Sequence, residues 1–334
     1  MHLFVTGGTG FFGKALLRHW AAASVAGMAV TLLSRSPRAF QARHADLLRG
    51  LDVRFVEGDV LRPQTLPRDG EFTHVLHAAT DSTLGPGLAP LARYDQIVDG
   101  SRHVLDMAVR LGVKRVLVTS SGGVYGPQPA ALERLPEDFN GMADPLNPQN
   151  AYSVGKRAVE HLCALYADQH GLEPVIARCF AFVGEDLPLD VHFAIGNFMR
   201  DALAGREIVV QGDGSAIRSY LDQRDLARWL MAMLQLGAAG RAYNVGSDRG
   251  LSIADLARLV GRIAGPDLPV RVLGRPAEGQ AARRNVYVPD IARVGSELGL
   301  RVDIDLEDAI RHAIARLRMN PRHEPGSTRQ QEFS

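Results

Sequence analysis

The amino-acid sequence predicts an α/β fold, in which a doubly wound parallel sheet is followed by a smaller lobe of mixed α/β structure. Three observations support this prediction. Short apolar runs alternate with segments of helical spacing, the runs do not alternate with polar residues, and the rhythm changes after Val183. Continuous apolar strands are typical of parallel sheets whose two faces are both covered by helices.

Six apolar runs in the first half are predicted strands. They are Leu3–Thr6, Ala29–Leu33, Val53–Val56, His74–His77, Arg115–Thr119 and Val175–Phe182. Helical spacing marks three segments between them: Gly13–Ala23, Leu91–Leu111 and Tyr152–His170. Repeated strand–helix units predict a doubly wound sheet, which binds its ligands at the carboxyl ends of its strands.

The second half has a mixed and less regular pattern. Its predicted elements are the helix Phe193–Ala204, the strand Ile208–Gln211, the helix Asp225–Gln235, the strand Tyr243–Val245 and the helix Ile253–Ile263. We predict a sheet domain over residues 1–180 with a return segment at 215–247, and a lobe formed by 181–214 and 248–319. The polar residues 320–334 are predicted to be a disordered tail.

Composition argues against several classes of function. The 334 residues are 46% hydrophobic, and 38 Lys and Arg balance 37 Asp and Glu to give a net charge of +1. A nucleic-acid-binding protein usually has a basic excess or a basic stripe, so we expect no nucleic-acid partner. The sequence has no cluster of His and Cys with the spacing of a metal site, so we expect no metal.

The sequence predicts a cytoplasmic protein without a membrane partner. No basic segment precedes an apolar stretch at the N-terminus, as a signal peptide requires. The uncharged run Trp20–Ser34 has fifteen residues, fewer than the roughly 20 that span a bilayer, and a helix end followed by a strand explains it. Cys163 and Cys179 lie in apolar contexts, and we expect buried, inert thiols in a reducing compartment.

A glycine-rich turn joins the first predicted strand to the first predicted helix. Gly7, Gly10 and Gly13 form the pattern Gly-x-x-Gly-x-x-Gly. The first glycine permits the tight turn, the second lets a pyrophosphate approach the backbone, and the third lets helix and strand pack closely. The pattern predicts a Rossmann-type dinucleotide site, with Phe11 and Phe12 of the same turn among its lining residues.

The same residues also nearly match the phosphate-binding loop of nucleoside triphosphatases. Gly8 to Lys14 fits that loop, but the following position, which must be Ser or Thr to hold magnesium, is Ala15. We therefore favour the dinucleotide site.

Two groups of polar residues carry the predicted chemistry. Ser121 ends a buried strand, so its hydroxyl emerges at the ligand edge of the sheet. Tyr152 and Lys156 are four residues apart and share one face of a helix. Hydride transfer at a carbinol carbon needs a proton carrier, which a Tyr becomes only if its pKa falls from ~10 towards the working pH. Lys156 and an oxidised nicotinamide ring supply the positive charge for that shift, and Ser121 orients the substrate oxygen.

With this glycine turn and these polar residues, the chain resembles the extended short-chain dehydrogenases, specifically the NAD-dependent epimerase/dehydratase group that acts on sugar nucleotides. The resemblance extends to about Leu317. It depends on Thr6–Gly13, Gly58–Val60, His77–Ala79, Ser120–Gly126, Tyr152 with Lys156, Arg218–Tyr220 with Asp225 and Leu226, and Tyr243–Gly246.

The resemblance implies further site residues. Asp59 and Val60 would contact the adenine, while Ala78 and Ala79 would line the cofactor. The implied nucleotide and pyrophosphate contacts of the sugar-nucleotide substrate are Asn197, Arg218 and Arg275. A guanidinium fork suits a pyrophosphate.

Cofactor preference follows from the end of the second strand. Family members that prefer NAD place an acidic residue there for the ribose 2′-hydroxyl. In this chain the corresponding segment contains Ser34 and Arg35 and no carboxylate, so we expect NADP rather than NAD.

The chain departs from the family pattern at three places. Ala181 and Ile97 stand where many relatives have an Asn, and Gly122 with Gly123 replaces the acidic pair of the dehydratases. Without that pair the chain lacks the acid and base that eliminate water across C5–C6. We therefore predict a 4-epimerase or 4-ketoreductase. Dehydration would require Asp81 or His192 to reach the sugar from another loop and replace the missing acid or base.

Three other interpretations stay open. The chain is alternatively a 4,6-dehydratase, a reductase of a non-nucleotide ketone or a cofactor-sensing binding protein, although the last does not need the Tyr152/Lys156 pair. A serine hydrolase is disfavoured because the sequence has no Gly-x-Ser-x-Gly elbow.

The two long predicted helices also suggest assembly. In relatives these helices build a homodimer through a four-helix bundle, so we expect a dimer. Their apolar residues are candidates for either the core or the interface: Val104, Leu105, Ala108, Leu162, Leu165 and Tyr166.

Overall fold

The computed structural model describes residues 1–23, 28–80, 87–265, 268–275 and 285–319. Its strands are β1 His2–Thr6, β2 Ala29–Ser34, β3 Val53–Glu57, β4 His74–His77, β5 Arg115–Ser121, β6 Glu173–Cys179, β7 Phe182–Val183, β8 Ile208–Val210, β9 Ile217–Arg218, β10 Leu221–Asp222, β11 Ala242–Val245, β12 Leu251–Ser252, β13 Val270–Val272 and β14 Val286–Tyr287. Its helices are α1 Phe11–Ala23, α2 Pro37–Arg43, α3 Ala45–Leu48, α4 Pro90–Arg110, α5 Ala151–His170, α6 Ala194–Leu203, α7 Gln223–Leu236, α8 Ile253–Ala264, α9 Ala292–Leu298 and α10 Leu306–Met319.

The seven-stranded sheet is parallel throughout, with the strand order β11-β6-β5-β4-β1-β2-β3. The chain builds the sheet outward in one direction from β1 to β3 and in the other from β4 to β11, so the strand order reverses between β1 and β4. This is the doubly wound topology that the sequence predicts. The Rossmann-type α/β class is confirmed, and the carboxyl ends of β1, β4 and β5 meet at one edge.

The sheet is buried because each face packs against helices. One apolar cluster joins β1 and β2 to α1 and α7, and includes Trp20 and Trp229. The other joins the opposite face to α4 and α5. Five of the six candidate interface residues are buried there within a single chain: Val104, Leu105, Ala108, Leu162 and Tyr166. Leu165 is 39% exposed.

The predicted strand Val175–Phe182 is wrong in one respect. The structure divides it, because β6 ends at Cys179 and β7 begins at Phe182. Strand β7 pairs with β10 instead of extending the main sheet. The chain therefore leaves the sheet at Phe180 and Ala181, and this crossing places both residues on the cleft described below.

The lobe is built from small sheets and a third apolar cluster. Strand β8 pairs with β13, and β9 pairs with both β12 and β14. Helices α6, α8 and α10 contribute most of the buried residues of the cluster. Helix α7 and strand β11 return to the main sheet. The domain boundaries given above stay a prediction.

The uncharged run Trp20–Ser34 is not a membrane span in the described part of the chain. It contains the end of α1 and the whole of β2, and residues 24–27 between them lie outside the described residues. Among the helices that the structure describes, none has the length and apolarity needed to cross a membrane. Residues 320–334, the predicted tail, also lie outside the described residues.

Candidate active site

A cleft of about 1130 Å³ opens at the carboxyl edge of the main sheet and continues against the lobe. It exceeds the usual size of a site for one small ligand. The predicted site residues that line it are Gly7, Gly10, Phe11, Phe12, Ser34, Arg35, Asp59, Val60, Ala78, Ala79, Ser121, Tyr152, Lys156 and Arg218. Asp59 is the only carboxylate among the described lining residues.

The glycine turn has the geometry of a dinucleotide cradle. Gly7 has φ of 74°, and a Cβ built on it would lie 2.4 Å from the Ala78 carbonyl oxygen. A Cβ on Gly13 would lie 2.0 Å from the Gly8 oxygen, so Gly13 lets α1 pack closely and does not itself line the cleft. At Gly10 a Cβ would meet only the Gly7 oxygen at 3.4 Å, which leaves the backbone open to a ligand. These residues fit a pyrophosphate at the N-terminus of α1.

The phosphate-loop alternative is not supported. The Lys14 ammonium lies 3.6 Å from the Asp186 carboxylate, which also accepts a hydrogen bond from Arg18 at 2.6 Å. Lys14 is therefore paired with the Asp186 carboxylate and does not point at the glycine turn, where the lysine of a phosphate-binding loop would contact the phosphates.

Ser121 lies at the end of β5, where the chain turns into a short 3₁₀ segment, Gly122–Tyr125. Its side chain is 7% exposed. The Ser121 Oγ accepts a hydrogen bond of 3.1 Å from the Gly123 N–H. This cap fixes the hydroxyl at the mouth of the sheet.

Lys156 projects from the first half of α5 into the same corner. Its Nζ donates to the Thr119 carbonyl oxygen at 2.7 Å and to the Thr80 hydroxyl at 2.8 Å. The side chain is only 3% exposed, and this burial lowers the pKa of Lys156 to about 8. The ammonium is held by neutral oxygen atoms, which leaves its charge available to the cleft.

Tyr152 stands one turn before Lys156 on α5. Burial raises the pKa of its phenol, while hydrogen bonding with Ser121 and the charge of Arg93 act in the opposite direction. The Arg93 guanidinium lies over the Tyr152 ring, with 4.7 Å between its central carbon and the ring centroid. Arg93 was not among the residues predicted from the sequence, where Lys156 was expected to provide this positive charge. No local pattern indicated Arg93, because α4 and α5 meet only in the folded chain.

The lobe forms the opposite wall of the cleft, with Arg218, Tyr220 and Tyr287 among its residues. Arg218 donates 2.8 Å hydrogen bonds to the carbonyl oxygens of Ile217 and Asn285, and a 3.0 Å bond to the Asn285 side chain. These bonds hold the guanidinium in place. Tyr220 and Tyr287 were also missed, although Tyr220 falls within the motif that identified Arg218.

Two predicted substrate contacts are not brought to the cleft. Asn197 lies on α6, and its side-chain oxygen accepts a bond from Arg200 at 3.3 Å. Arg275 is exposed, and residues 276–284, which follow it, lie outside the described residues. Neither residue lines the cleft. Both assignments came from family spacing, which does not fix the direction of a helix face or a loop.

The two residues that replace an Asn of many relatives, Ala181 and Ile97, lie at different distances from the cleft. Ala181 lines the cleft, whereas Ile97 is 1% exposed and belongs to the core beneath it. Of the two residues suggested to replace the missing acid pair, His192 lines the cleft and Asp81 lies outside the described residues.

The two cysteines are free and buried, as predicted. Cys179 lines the cleft. Burial raises the pKa of both thiols to about 12, so the thiolate, which is the reactive form, is scarce at neutral pH. Groups of His, Cys, Asp and Glu suited to a metal ion are absent among the described residues.

Comparisons with known proteins agree with the fold. The model of the NAD-dependent epimerase/dehydratase family matches residues 3–246. The chain is 25% identical to UDP-glucuronic acid decarboxylase 1 of Xenopus tropicalis, over 96% of this chain and 73% of that protein. It is 29% identical to a dTDP-glucose 4,6-dehydratase of Streptomyces griseus, over 94% and 93% of the two chains.

A similar solved structure is the dTDP-glucose 4,6-dehydratase of Streptomyces venezuelae, determined with NAD and TYD bound. It superposes with a TM-score of 0.80 at 26% identity, and covers 96% of this chain and 98% of its own.

Proposed function

The chain belongs to the NAD-dependent epimerase/dehydratase family, and from this premise we propose that it transfers a hydride at C4 of a nucleoside-diphosphate sugar. The proposed net reaction is 4-epimerisation or reduction of a 4-keto sugar. One observation carries the proposal: Ser121, Tyr152 and Lys156 share a cleft with the glycine turn, while Gly122 and Gly123 occupy the positions of the dehydratase acid pair.

Each of the three polar residues has a task in this proposal. Tyr152 removes the proton from the C4 hydroxyl during oxidation and returns it during reduction. Ser121 donates a hydrogen bond to the same oxygen and orients it. The buried ammonium of Lys156 adds positive charge to the corner in which tyrosinate forms. When bound, the nicotinamide accepts or supplies the hydride.

We place the cofactor along Gly7 to Gly13, with its adenine near Asp59 and Val60. Arg35 lies on the cleft at the end of β2, beside the buried Ser34, and the residues that line the cleft from this strand end include no carboxylate to repel a 2′-phosphate. This supports NADP over NAD. NADP in turn favours the ketoreductase, because a reductase draws on the NADPH pool while an epimerase recycles its bound cofactor. Titration with both cofactors tests the preference, and binding of NAD at least about tenfold tighter would reverse it.

A 4,6-dehydratase is the second candidate, because relatives with that name match the chain closely in length. That reaction needs a base for the C5 proton and an acid for the leaving C6 hydroxyl. His192 lines the cleft, but burial and the charge of Arg93 both lower its pKa, which leaves it neutral at pH 7. A neutral His192 is a base, and the acid partner would still have to be found.

The experiment is a panel of UDP-, dTDP-, CDP- and GDP-sugars with NAD or NADP, read by mass spectrometry and NMR. Inversion at C4, or NADPH-dependent reduction of a 4-keto sugar, supports the proposal. Rapid formation of a 4-keto-6-deoxy sugar contradicts it. Turnover of simple ketones without any sugar nucleotide would favour the non-nucleotide reductase.

We also propose a homodimer in the cytoplasm. Helices α4 and α5 lie side by side, and they expose Leu91 at 72% and Leu165 at 39%. These two leucines, rather than the buried members of the predicted set, are the residues available to an interface. A monomer mass by light scattering at micromolar concentration would contradict the dimer.

A further inference from the structure

Tyr287 belongs to the lobe but lines the same cleft as Ser121, Tyr152 and Lys156 at the carboxyl edge of the main sheet. Strand β14 pairs with β9 so that Tyr287 lies opposite Arg218. The Tyr287 ring packs on the Phe180 ring with 4.5 Å between centroids, and the Arg218 guanidinium lies 5.8 Å from the Tyr287 ring centroid. The tyrosine is therefore held on both sides, and its hydroxyl has a fixed direction.

That direction points at the residue after Ser121. A Cβ built on Gly122 would lie 2.6 Å from the Tyr287 Oη and 2.6 Å from the Phe180 Cζ. Real Cβ atoms do not approach other atoms below 3.0 Å. The space that a side chain at position 122 would need is thus filled by a phenol, which accounts for the glycine in place of an acidic residue.

Ser121 is a close neighbour of the Tyr287 side chain, and burial raises the pKa of Tyr287 well above its ordinary value. Tyr287 consequently keeps its proton at any working pH. A permanently protonated phenol next to a serine oxygen acts as a hydrogen-bond donor.

The hydrogen-bonding capacity of Ser121 then becomes fully assigned. A serine hydroxyl has one proton to donate and two lone pairs to accept with. The Gly123 N–H uses one lone pair at 3.1 Å, and the second is open to a neighbouring donor such as the Tyr287 hydroxyl, which lies beside Gly122. Only the Ser121 proton remains, and Tyr152 and the open cleft are where it can be donated.

We propose that Tyr287 is a positioning residue of the catalytic centre, whose hydroxyl holds Ser121 as a hydrogen-bond donor towards the reacting oxygen and Tyr152. The inference rests on the proposed hydride transfer at C4 and names a residue from the lobe that this reaction needs.

Tyr287→Phe tests the proposal, since it removes one oxygen atom and keeps the packing on Phe180. In this variant the Ser121 hydroxyl is no longer oriented towards Tyr152, so it stabilises the ionised form of Tyr152 less. The pKa of Tyr152 should therefore rise. In the oxidation direction we expect kcat at neutral pH to fall about tenfold. The pH at which the rate rises should move up by about one unit, with KM little changed.

A mutant cycle shows whether Tyr287 acts through Ser121. In the Ser121→Ala background, Tyr287→Phe should change kcat by less than about twofold, because the partner is gone. An equal loss in both backgrounds would overturn the proposal, since Tyr287 would then act on the substrate or on the fold. Tyr243→Phe is the matched control, because it removes a buried hydroxyl that contacts Glu297 and the Ala238 N–H outside the cleft.

A readout without substrate separates this inference from the proposed function. The ionisation of Tyr152 is followed by tyrosinate absorbance, as the difference between the protein and its Tyr152→Phe variant. The Tyr152 pKa should rise in Tyr287→Phe and stay unchanged on adding Tyr287→Phe to Ser121→Ala, whatever the substrate is. An unchanged Tyr152 pKa in the single variant overturns the proposal. Gly122→Ala should also raise the Tyr152 pKa, because its new Cβ would push the Tyr287 hydroxyl away. It is therefore a second, independent test of the proposal.

Discussion

The main sheet and the lobe place their functional residues by different means. Ser121, Tyr152 and Lys156 come from β5 and α5, a strand of 7 residues and a helix of 20 residues, both packed into large apolar clusters. Arg218 and Tyr287 come from strands of 2 residues that pair with each other across the lobe. The groups proposed for proton transfer thus lie on long elements of the main sheet and its helices, while Arg218 and Tyr287 depend on a few long-range pairings.

This difference indicates how one chemistry serves different substrates. In this proposal, a change at Arg218 alters which substrate fits beside it without moving the Tyr152/Lys156 pair. Conversely, a change at Tyr152 or in the glycine turn would remove proton transfer or cofactor binding for every substrate. The variants below separate the two regions, and they are arranged from the largest expected effect to the smallest.

Tyr152→Phe should abolish the chemistry and leave both regions folded. Without the phenolic oxygen no proton carrier stands at the C4 oxygen, and general acid–base catalysis is worth at least ~10²-fold. We expect kcat to fall by that factor while the dissociation constant of the cofactor, measured by fluorescence titration, is retained. Near-normal turnover would remove Tyr152 from the mechanism.

Gly13→Ala should damage cofactor binding in the sheet domain. The new Cβ would lie 2.0 Å from the Gly8 oxygen, so the turn or α1 must shift. Overpacking of this kind costs about 1–3 kcal/mol of unfolding free energy, and we expect cofactor affinity to fall about tenfold. Gly212→Ala is the control, because a Cβ there meets nothing within 4 Å. Equal behaviour of the two variants would contradict the assigned role of Gly13.

Arg218→Lys should affect the lobe alone. A lysine cannot reproduce the fork of a guanidinium towards a pyrophosphate, so KM for the sugar nucleotide should rise several-fold while cofactor affinity stays constant. Arg275→Lys, at an exposed position that does not line the cleft, should leave KM unchanged. If Arg275→Lys raises KM instead, the substrate lies differently from our account.

Arg35→Gln should have the smallest effect, on the choice of cofactor. Arg35 lines the cleft at an exposed position, and exposed charge pairs contribute only about 0.2–1 kcal/mol. Affinity for NADP should fall a few-fold and affinity for NAD should not, as isothermal titration with both cofactors would show. An identical loss for both would exclude a contact with the 2′-phosphate.

The two regions also differ in how well their sequence predicted them. Each main-sheet strand is a continuous apolar run next to a helical period, so local pattern was sufficient for β1 to β5. Strands β9, β12 and β14 have two residues each, which is too short for any periodicity. They exist because distant segments pair, and Tyr287 stands 69 positions from its partner Arg218.

The proximity of the candidate catalytic groups could be predicted for the same reason that the sheet could. Tyr152 and Lys156 are separated by one helical turn, so their proximity is local. Arg93 and Tyr287 approach Tyr152 and Ser121 only through packing between separate elements. Sequence pattern indicated the proposed proton carrier, and only the folded chain showed which residues of other elements lie beside it.

Reaction in deuterium oxide tests the central claim most directly. If the enzyme acts only at C4, the C5 proton of a sugar-nucleotide substrate is never removed. NMR of the product should then show C4 inverted, or a 4-keto group reduced, with no deuterium at C5. Deuterium at C5 together with loss of the C6 hydroxyl would mean that another residue replaces the acid pair missing at Gly122 and Gly123, and that the protein is a dehydratase.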